Sequence, residues 1–288
     1  MVSSNLKSFA KINIGLRILK KREDGYHDIE TIFYPIKLYD EIKIQIEPNS
    51  VSNNSVVLTS NKPFIPLNSN NLCYIAVEKF FRVFEIKDFY KIKIDLIKKT
   101  PVGGGLGGGS SNAASIIKFL INYYSIDINS NKAGIIDMAM SIGSDVPFFL
   151  TMKPCYAEGR GERLKLLKQF DLDFNILIVN PNLHISTKWA FESLNIQPGY
   201  EKSRILQDVK SFDPNNSEIF ENEFEKVVFK KYNILKEIKN ELIEKGAVFS
   251  SMSGSGATMY GLFEKNKNTE LYKCRSDFRT KNYFTFIS

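Results

Sequence analysis

The chain has 288 residues, 43% of them apolar and 25% charged, which excludes a disordered or fibrous chain and leaves room for two modest cores. A net charge of +7 favours anionic ligands, but the Lys and Arg residues are scattered along the chain, which argues against nucleic acid as the partner. Three distant cysteines (Cys73, Cys155, Cys274) and two isolated histidines (His27, His184) exclude a disulfide scaffold and a zinc site, and the polar start and lack of a membrane-length apolar run predict a cytoplasmic protein without membrane association.

In chain order, residues 10–18 alternate as a half-buried strand. Ala10, Ile12, Ile14, Leu16 and Ile18 lie on one face, and Lys11 and Asn13 stand side by side on the polar one. A turn around Asp24-Gly25 follows, then strands over 28–36 and 40–47. Residues 49–71 read as loops around a short strand at 56–59. A helix over 72–84 and a strand over 91–97 lead to the glycine-rich segment. Helices are predicted over 110–124 and 131–142, the second stopped by Gly143. A junction is expected near 156–164, giving an N-terminal domain over 1–158 and a C-terminal one over 159–288. A buried strand over 174–179, a polar surface connection over 197–217, an amphipathic helix over 233–245 closed by Gly246, and strands over 247–250 and 257–263 complete the chain.

The segment Pro101, Val102, Gly103, Gly104, Gly105, Leu106, Gly107, Gly108, Gly109, Ser110, Ser111 carries the chemistry. Six glycines in seven positions remove the Cβ atoms that would keep a ligand from the backbone. The segment feeds a helix N-terminus, whose unpaired N–H groups and dipole favour an anion, and two serine hydroxyls stand at the same place. This composition describes a polyphosphate cradle. It lacks the Gly-Lys-Ser/Thr of a Walker loop. Although Gly103, Gly105 and Gly108 satisfy a dinucleotide fingerprint, no acidic-ended second strand follows. A flexible linker is the bland alternative, disfavoured by the strand and helix on either side.

With Ala113-Ala114, the loop resembles the central signature of the GHMP kinases. Ala10-Lys11-Ile12-Asn13 and Asp24-Gly25-Tyr26-His27 resemble the branch of that family whose acceptor is a cytidyl diphosphate alcohol. Gly143-Ser144-Asp145-Val146-Pro147-Phe148, the run 157–162 (AEGRGE) and Ser253-Gly254-Ser255-Gly256-Ala257 are similar to further motifs, in the family's order. The resemblance implies an α+β fold of two domains, with a left-handed β-α-β unit in the N-terminal one, and the use of ATP and Mg²⁺ to phosphorylate the acceptor's 2-hydroxyl.

The resemblance also assigns roles that the residues alone leave open. Asp145 would be the catalytic carboxylate, although by position it is also an N-cap. Lys11, otherwise a solvated lysine, would lend positive charge to that carboxylate and to the reacting hydroxyl, with Asn13 bonding the same hydroxyl. His27 would read the cytosine edge, with Tyr26 stacked on the base and Phe191 opposing it, although Tyr26 and His27 are equally turn residues and Phe191 equally a core aromatic. Asn71 is a candidate for the adenine, and the 253–256 turn would flank the phosphate and substrate. No obligate protein partner is evident. A sister kinase would share the loop but has no use for Tyr26 and His27, and a silent relative would be expected to have lost Lys11 or Asp145.

Overall fold

Residues 1–49, 55–197 and 199–288 are described by the computed structural model. They form two compact units, both discontinuous in sequence. The first comprises Met1–Ala10, Leu38–Thr100 and Gly108–Met152, and the second Lys11–Lys37, Pro101–Gly107 and Lys153–Ser288. Two long strands, β1 (Val2–Lys21) and β2 (His27–Pro48), contribute residues to both.

In the first unit the latter part of β2 pairs antiparallel with β4 (Tyr90–Ile97), and β4 pairs in parallel with β3 (Ser55–Ser60). The register sets Ile42 against Leu96, Ile44 against Ile94 and Ile46 against Ile92, all buried. Each such side chain taken from water is worth roughly 1.5–3 kcal/mol. Helix α1 (Leu72–Val83) connects the parallel strands, making a β-α-β unit. Asn71 caps that helix, accepting the Cys73 N–H at 2.9 Å and donating to Pro66 O at 2.7 Å, so its amide serves the fold. Helices α2 (Gly108–Tyr123) and α3 (Lys132–Ile142) pack against α1, and α4 (Val146–Thr151) packs against α2 and α3. Residues 28–47 form part of one strand and not two, with β2 paired to β1 as well as to β4. Gly143 does end α3, but with extended backbone (φ 176°) and without a left-handed cap.

In the second unit the first part of β2 pairs with β5 (Cys155–Gly159), which forms a hairpin with β6 (Arg163–Leu166). This hairpin occupies the stretch where the sequence suggests a junction. A second sheet has the order β10-β7-β9-β8, built from β7 (Phe174–Asn180), β8 (Phe249–Met252), β9 (Met259–Glu264) and β10 (Phe284–Ile287), all antiparallel. Helices α5 (Thr187–Leu194), α6 (Glu225–Lys231), α7 (Asn233–Glu244) and α8 (Asn268–Thr280) complete the unit. Leu177, Val179, Leu242, Phe263, Leu271 and Phe278 belong to its core. Of the loops expected over 49–71 and 197–217, residues 50–54 and 198 lie outside the described residues. Among the described residues no helix is long and apolar enough to cross a membrane.

Candidate active site

The glycine-rich segment is tight where it belongs to the second unit. Gly103, Gly105 and Gly107 have φ of +66°, +78° and +68°, a region that side chains other than glycine rarely enter. The neighbours show why Cβ atoms are excluded here. One on Gly103 would lie 2.5 Å from His184 Nδ1, and one on Gly104 would lie 2.9 Å from both Asn180 Nδ2 and Thr258 Oγ1. One on Gly105 would stand 2.9 Å from the Ser253 carbonyl carbon and closer still to its oxygen. The close approach expected of a ligand is therefore, at these three glycines, an approach of the 253–258 turn and its neighbours. Leu106 is buried and anchors the segment, whereas Val102 is exposed. Pro101 sits under Gly104.

The part that enters α2 behaves differently. A Cβ on Gly109 would find only Leu72 Cδ1, at 3.5 Å, so Gly109 is open on its outer side. Ser110 is half-buried and stands against the turn after α3, where an added Gly143 Cβ would lie 3.7 Å from its Oγ. Ser111 is committed to the fold. Its hydroxyl donates to Phe9 O at 2.6 Å and accepts from Ser8 Oγ at 2.7 Å, with 2% of the residue exposed. Of the two serines, Ser110 is the better placed to meet a ligand.

Lys11 and Asn13 are both buried, so the expected polar face of β1 does not face water. The loop and the 253 turn cover it. The Lys11 N–H donates to Leu106 O at 3.1 Å, and its Nζ donates to Asn13 Oδ1 at 2.6 Å and to Gly105 O at 3.3 Å. Asn13 donates through Nδ2 to Thr31 Oγ1 at 3.0 Å, and through its backbone N–H to Ser253 Oγ at 3.2 Å. Ser253 Oγ in turn donates to Gly105 O at 2.9 Å. The Lys11 ammonium also lies 4.9 Å from the Phe33 ring centroid, a cation–π contact.

Asp145 occupies the N-cap position of α4, followed by Val146 and Pro147, but its side chain makes no capping hydrogen bond. Its φ and ψ of −83° and −14° are helical, unlike the extended conformation of a bonded cap. The capping role thus loses its support, and a half-buried carboxylate remains in the first unit.

Tyr26 is 55% exposed and lies under the Arg160 guanidinium at 4.8 Å from ring centroid to Cζ. The turn holding it is fastened by Arg22, which bonds Asp24 and Asp28. His27 stacks on Phe191 with centroids 4.8 Å apart and planes 11° apart, and Phe191 meets Phe224 edge-on at 4.9 Å. Phe191 is therefore a half-buried aromatic at the rim of a core. Burial first, then the charge of Lys21, lowers the His27 pKa, so the ring is neutral at pH 7 and carries one donor and one acceptor.

Sequence reasoning missed two charged residues, Asp40 and Lys98, which form a buried ion pair directly beside Gly108. Lys98 looks like one of many lysines, and only its position immediately before the loop marks it. Among the described residues no cluster of three His, Cys, Asp or Glu forms a ready metal cage.

The profile of the GHMP kinases N terminal domain matches residues 71–153, and that of the GHMP kinases C terminal matches 202–277. A 4-diphosphocytidyl-2-C-methyl-D-erythritol kinase of Prosthecochloris aestuarii is 37% identical over 283 residues, covering 94% of this chain and 92% of its own. One of Clostridium botulinum is 32% identical over 288 residues and covers 99% of each. A crystal structure of a 4-(cytidine 5'-diphospho)-2C-methyl-D-erythritol kinase superimposes with a TM-score of 0.77 at 27% identity, covering 99% of this chain and 98% of that one.

Proposed function

This chain belongs to the GHMP kinases, and we propose that it transfers the γ-phosphoryl group of ATP to the 2-hydroxyl of 4-diphosphocytidyl-2-C-methyl-D-erythritol, in the non-mevalonate route to isoprenoid precursors. The observation that carries this reading is the Lys11 ammonium buried at the glycine-rich loop, bonded to Gly105 O and Asn13 Oδ1. A buried cation at a loop of bare backbone leading into a helix N-terminus is a site for transferring charged groups.

The phosphates of ATP rest on the loop and on the first turn of α2, with Ser110 at the γ end. The acceptor's 2-hydroxyl oxygen forms a bond to the γ-phosphorus while the bond from that phosphorus to the β–γ bridging oxygen breaks, releasing ADP. Asp145 takes the hydroxyl proton on a carboxylate oxygen, Lys11 offsets the negative charge that develops, and Asn13 orients the hydroxyl. Ser110 and Asp145, both in the first unit, carry the hard oxygen donors that Mg²⁺ prefers and would hold the ion, which would supply positive charge against the phosphates of ATP. At the other end of the acceptor, Tyr26 and Phe191 supply stacking faces and neutral His27 reads the base edge. Because His27 covers Phe191 at 4.8 Å, binding of the cytosine exchanges one stack for another. The three cysteines are buried free thiols, which accords with the reducing cytoplasm.

The test is ATP consumption by the purified protein, offered the cytidyl alcohol, mevalonate and homoserine separately. Turnover confined to the cytidyl alcohol is expected. Turnover only with another acceptor would retain the phosphate loop and discard the cytosine site.

A further inference from the structure

Beneath the first turn of α2 the first unit buries a polar network centred on Asp40, a residue outside every motif quoted above. Its carboxylate has no solvent exposure. One oxygen accepts the backbone N–H of Lys99 at 2.8 Å, that of Thr100 at 2.9 Å and the Thr100 hydroxyl at 2.9 Å. The other is paired with the Lys98 ammonium and accepts from Asn112 Nδ2 at 3.1 Å. Lys98 donates in turn to Asn112 Oδ1 at 2.9 Å, and Asn112 donates to Ser8 Oγ at 2.9 Å.

What these donors share is their place in the chain. Residues 98–100 are the last before the glycine-rich loop, and Asn112 lies in the helix that follows it, so one carboxylate ties together the loop's entry and exit. The tie reaches the backbone itself, since a Cβ on Gly108 would lie 2.6 Å from Thr100 Oγ1 and 3.1 Å from Lys98 Nζ. A buried ion pair is seldom more stabilising than apolar residues of the same volume, and what it supplies best is one defined arrangement. Gly103 to Leu106 are held by their own neighbours, whereas the residues that lead into and out of the loop take their arrangement from this carboxylate.

We propose that Asp40 is a positioning residue for ATP, holding the two ends of the loop at the separation its phosphates require. This rests on the reading of the loop as the phosphate site. The experiment compares wild type, Asp40→Asn and Thr100→Val by ATP dissociation constant without turnover, KM for each substrate, kcat and Tm. Asp40→Asn is expected to weaken ATP binding by about tenfold or more, as small misplacements of a binding group do, while the acceptor KM changes by less than about twofold. Thr100→Val, which removes one donor to the same carboxylate, is expected to weaken ATP about threefold. A lowered Tm with unchanged ATP affinity in the folded Asp40→Asn protein would overturn the inference and leave Asp40 a stability residue. If Asp40→Asn does not fold, unchanged ATP affinity in Thr100→Val overturns it equally. Failure of the wild type to bind ATP would overturn the phosphate-loop reading together with this one, whereas wild-type binding with unaffected variants overturns this inference alone.

Discussion

Replacing Gly105 with alanine puts a methyl group where the backbone of the 253–258 turn already lies. The residue has φ of +78°, and the added Cβ would stand 2.9 Å from the Ser253 carbonyl carbon and 3.3 Å from Gly256 O. The left-handed backbone alone costs an L-residue roughly 1–2 kcal/mol, and displacing backbone to relieve the overlap adds roughly 1–3 kcal/mol. The total, about 2–5 kcal/mol, corresponds to a fall in Tm on the order of 3–8 °C for a chain of this size. Gly109→Ala is the paired control. Its Cβ meets nothing nearer than Leu72 Cδ1 at 3.5 Å, and alanine within a helix is favoured over glycine by roughly 0.5–1 kcal/mol. If the start of α2 faces the phosphates, that methyl stands in the ligand's way, and ATP affinity should fall by about tenfold, the value of a charge-assisted hydrogen bond, with Tm unchanged or raised. Thermal melts and ATP titrations on both variants test the division. An unchanged Tm in Gly105→Ala, or a destabilised Gly109→Ala that still binds ATP normally, would refute it.

Two further outcomes are expected of the residues proposed to accept the proton and to read the base. Asp145→Asn should lower kcat at least about a hundredfold while ATP still binds, because the amide keeps an oxygen donor but cannot accept the proton; unaltered turnover would end that assignment. For His27 the folded pKa lies below the unfolded one, so the unfolded chain binds more protons, and the stability this group contributes is present above the ordinary histidine pKa and lost as pH falls through the lowered value. The acceptor KM should follow the same sense, steady at neutral pH and rising as His27 takes up its proton, with His27→Ala giving a raised but flat profile from pH 5 to 8. A break in the profile that persists in His27→Ala would assign it to another group.

Much of this was legible in the sequence because period and motif agree. The alternation of Ile42, Ile44 and Ile46 marks strand β2, and the structure matches it with Leu96, Ile94 and Ile92 on β4. Helix α8 was not legible, since it buries only Leu271, Cys274 and Phe278 in an otherwise polar segment. Nor was the hairpin of β5 and β6, which lies across the stretch 156–164 where the sequence suggests a junction and turns through Gly159 and Gly161 at φ of +72° and +105°. Strand β10 is four residues long and draws its identity from β7, a partner about a hundred residues earlier in the chain. At the candidate site the residue types were visible and their surroundings were not. Lys11 reads as solvated until the residues that bury it are known, and Asp40 carries no local pattern at all.

The reason the motifs of this chain occur together can be stated through one carbonyl. Gly105 O accepts from Lys11 Nζ, 94 residues away, and from Ser253 Oγ, 148 residues away. The Ser253 hydroxyl, having spent its single proton on Gly105, accepts from the backbone N–H of Asn13 at 3.2 Å. Strand, loop and turn are thus one hydrogen-bonded object in the second unit, in which each motif supplies the partner another lacks. Burying the Lys11 ammonium without acceptors would cost several kcal/mol, and a side chain on Gly105 would prevent the close approach of the turn. The glycines at 103–105 are then demanded first by the fold, and through the fold by the lysine it holds in place. Glycine richness alone accordingly says less about phosphate binding than the position of each glycine does: those that pack on the 253–258 turn keep the cation seated, and the open Gly109 at the helix start would leave backbone N–H groups for the proposed phosphates.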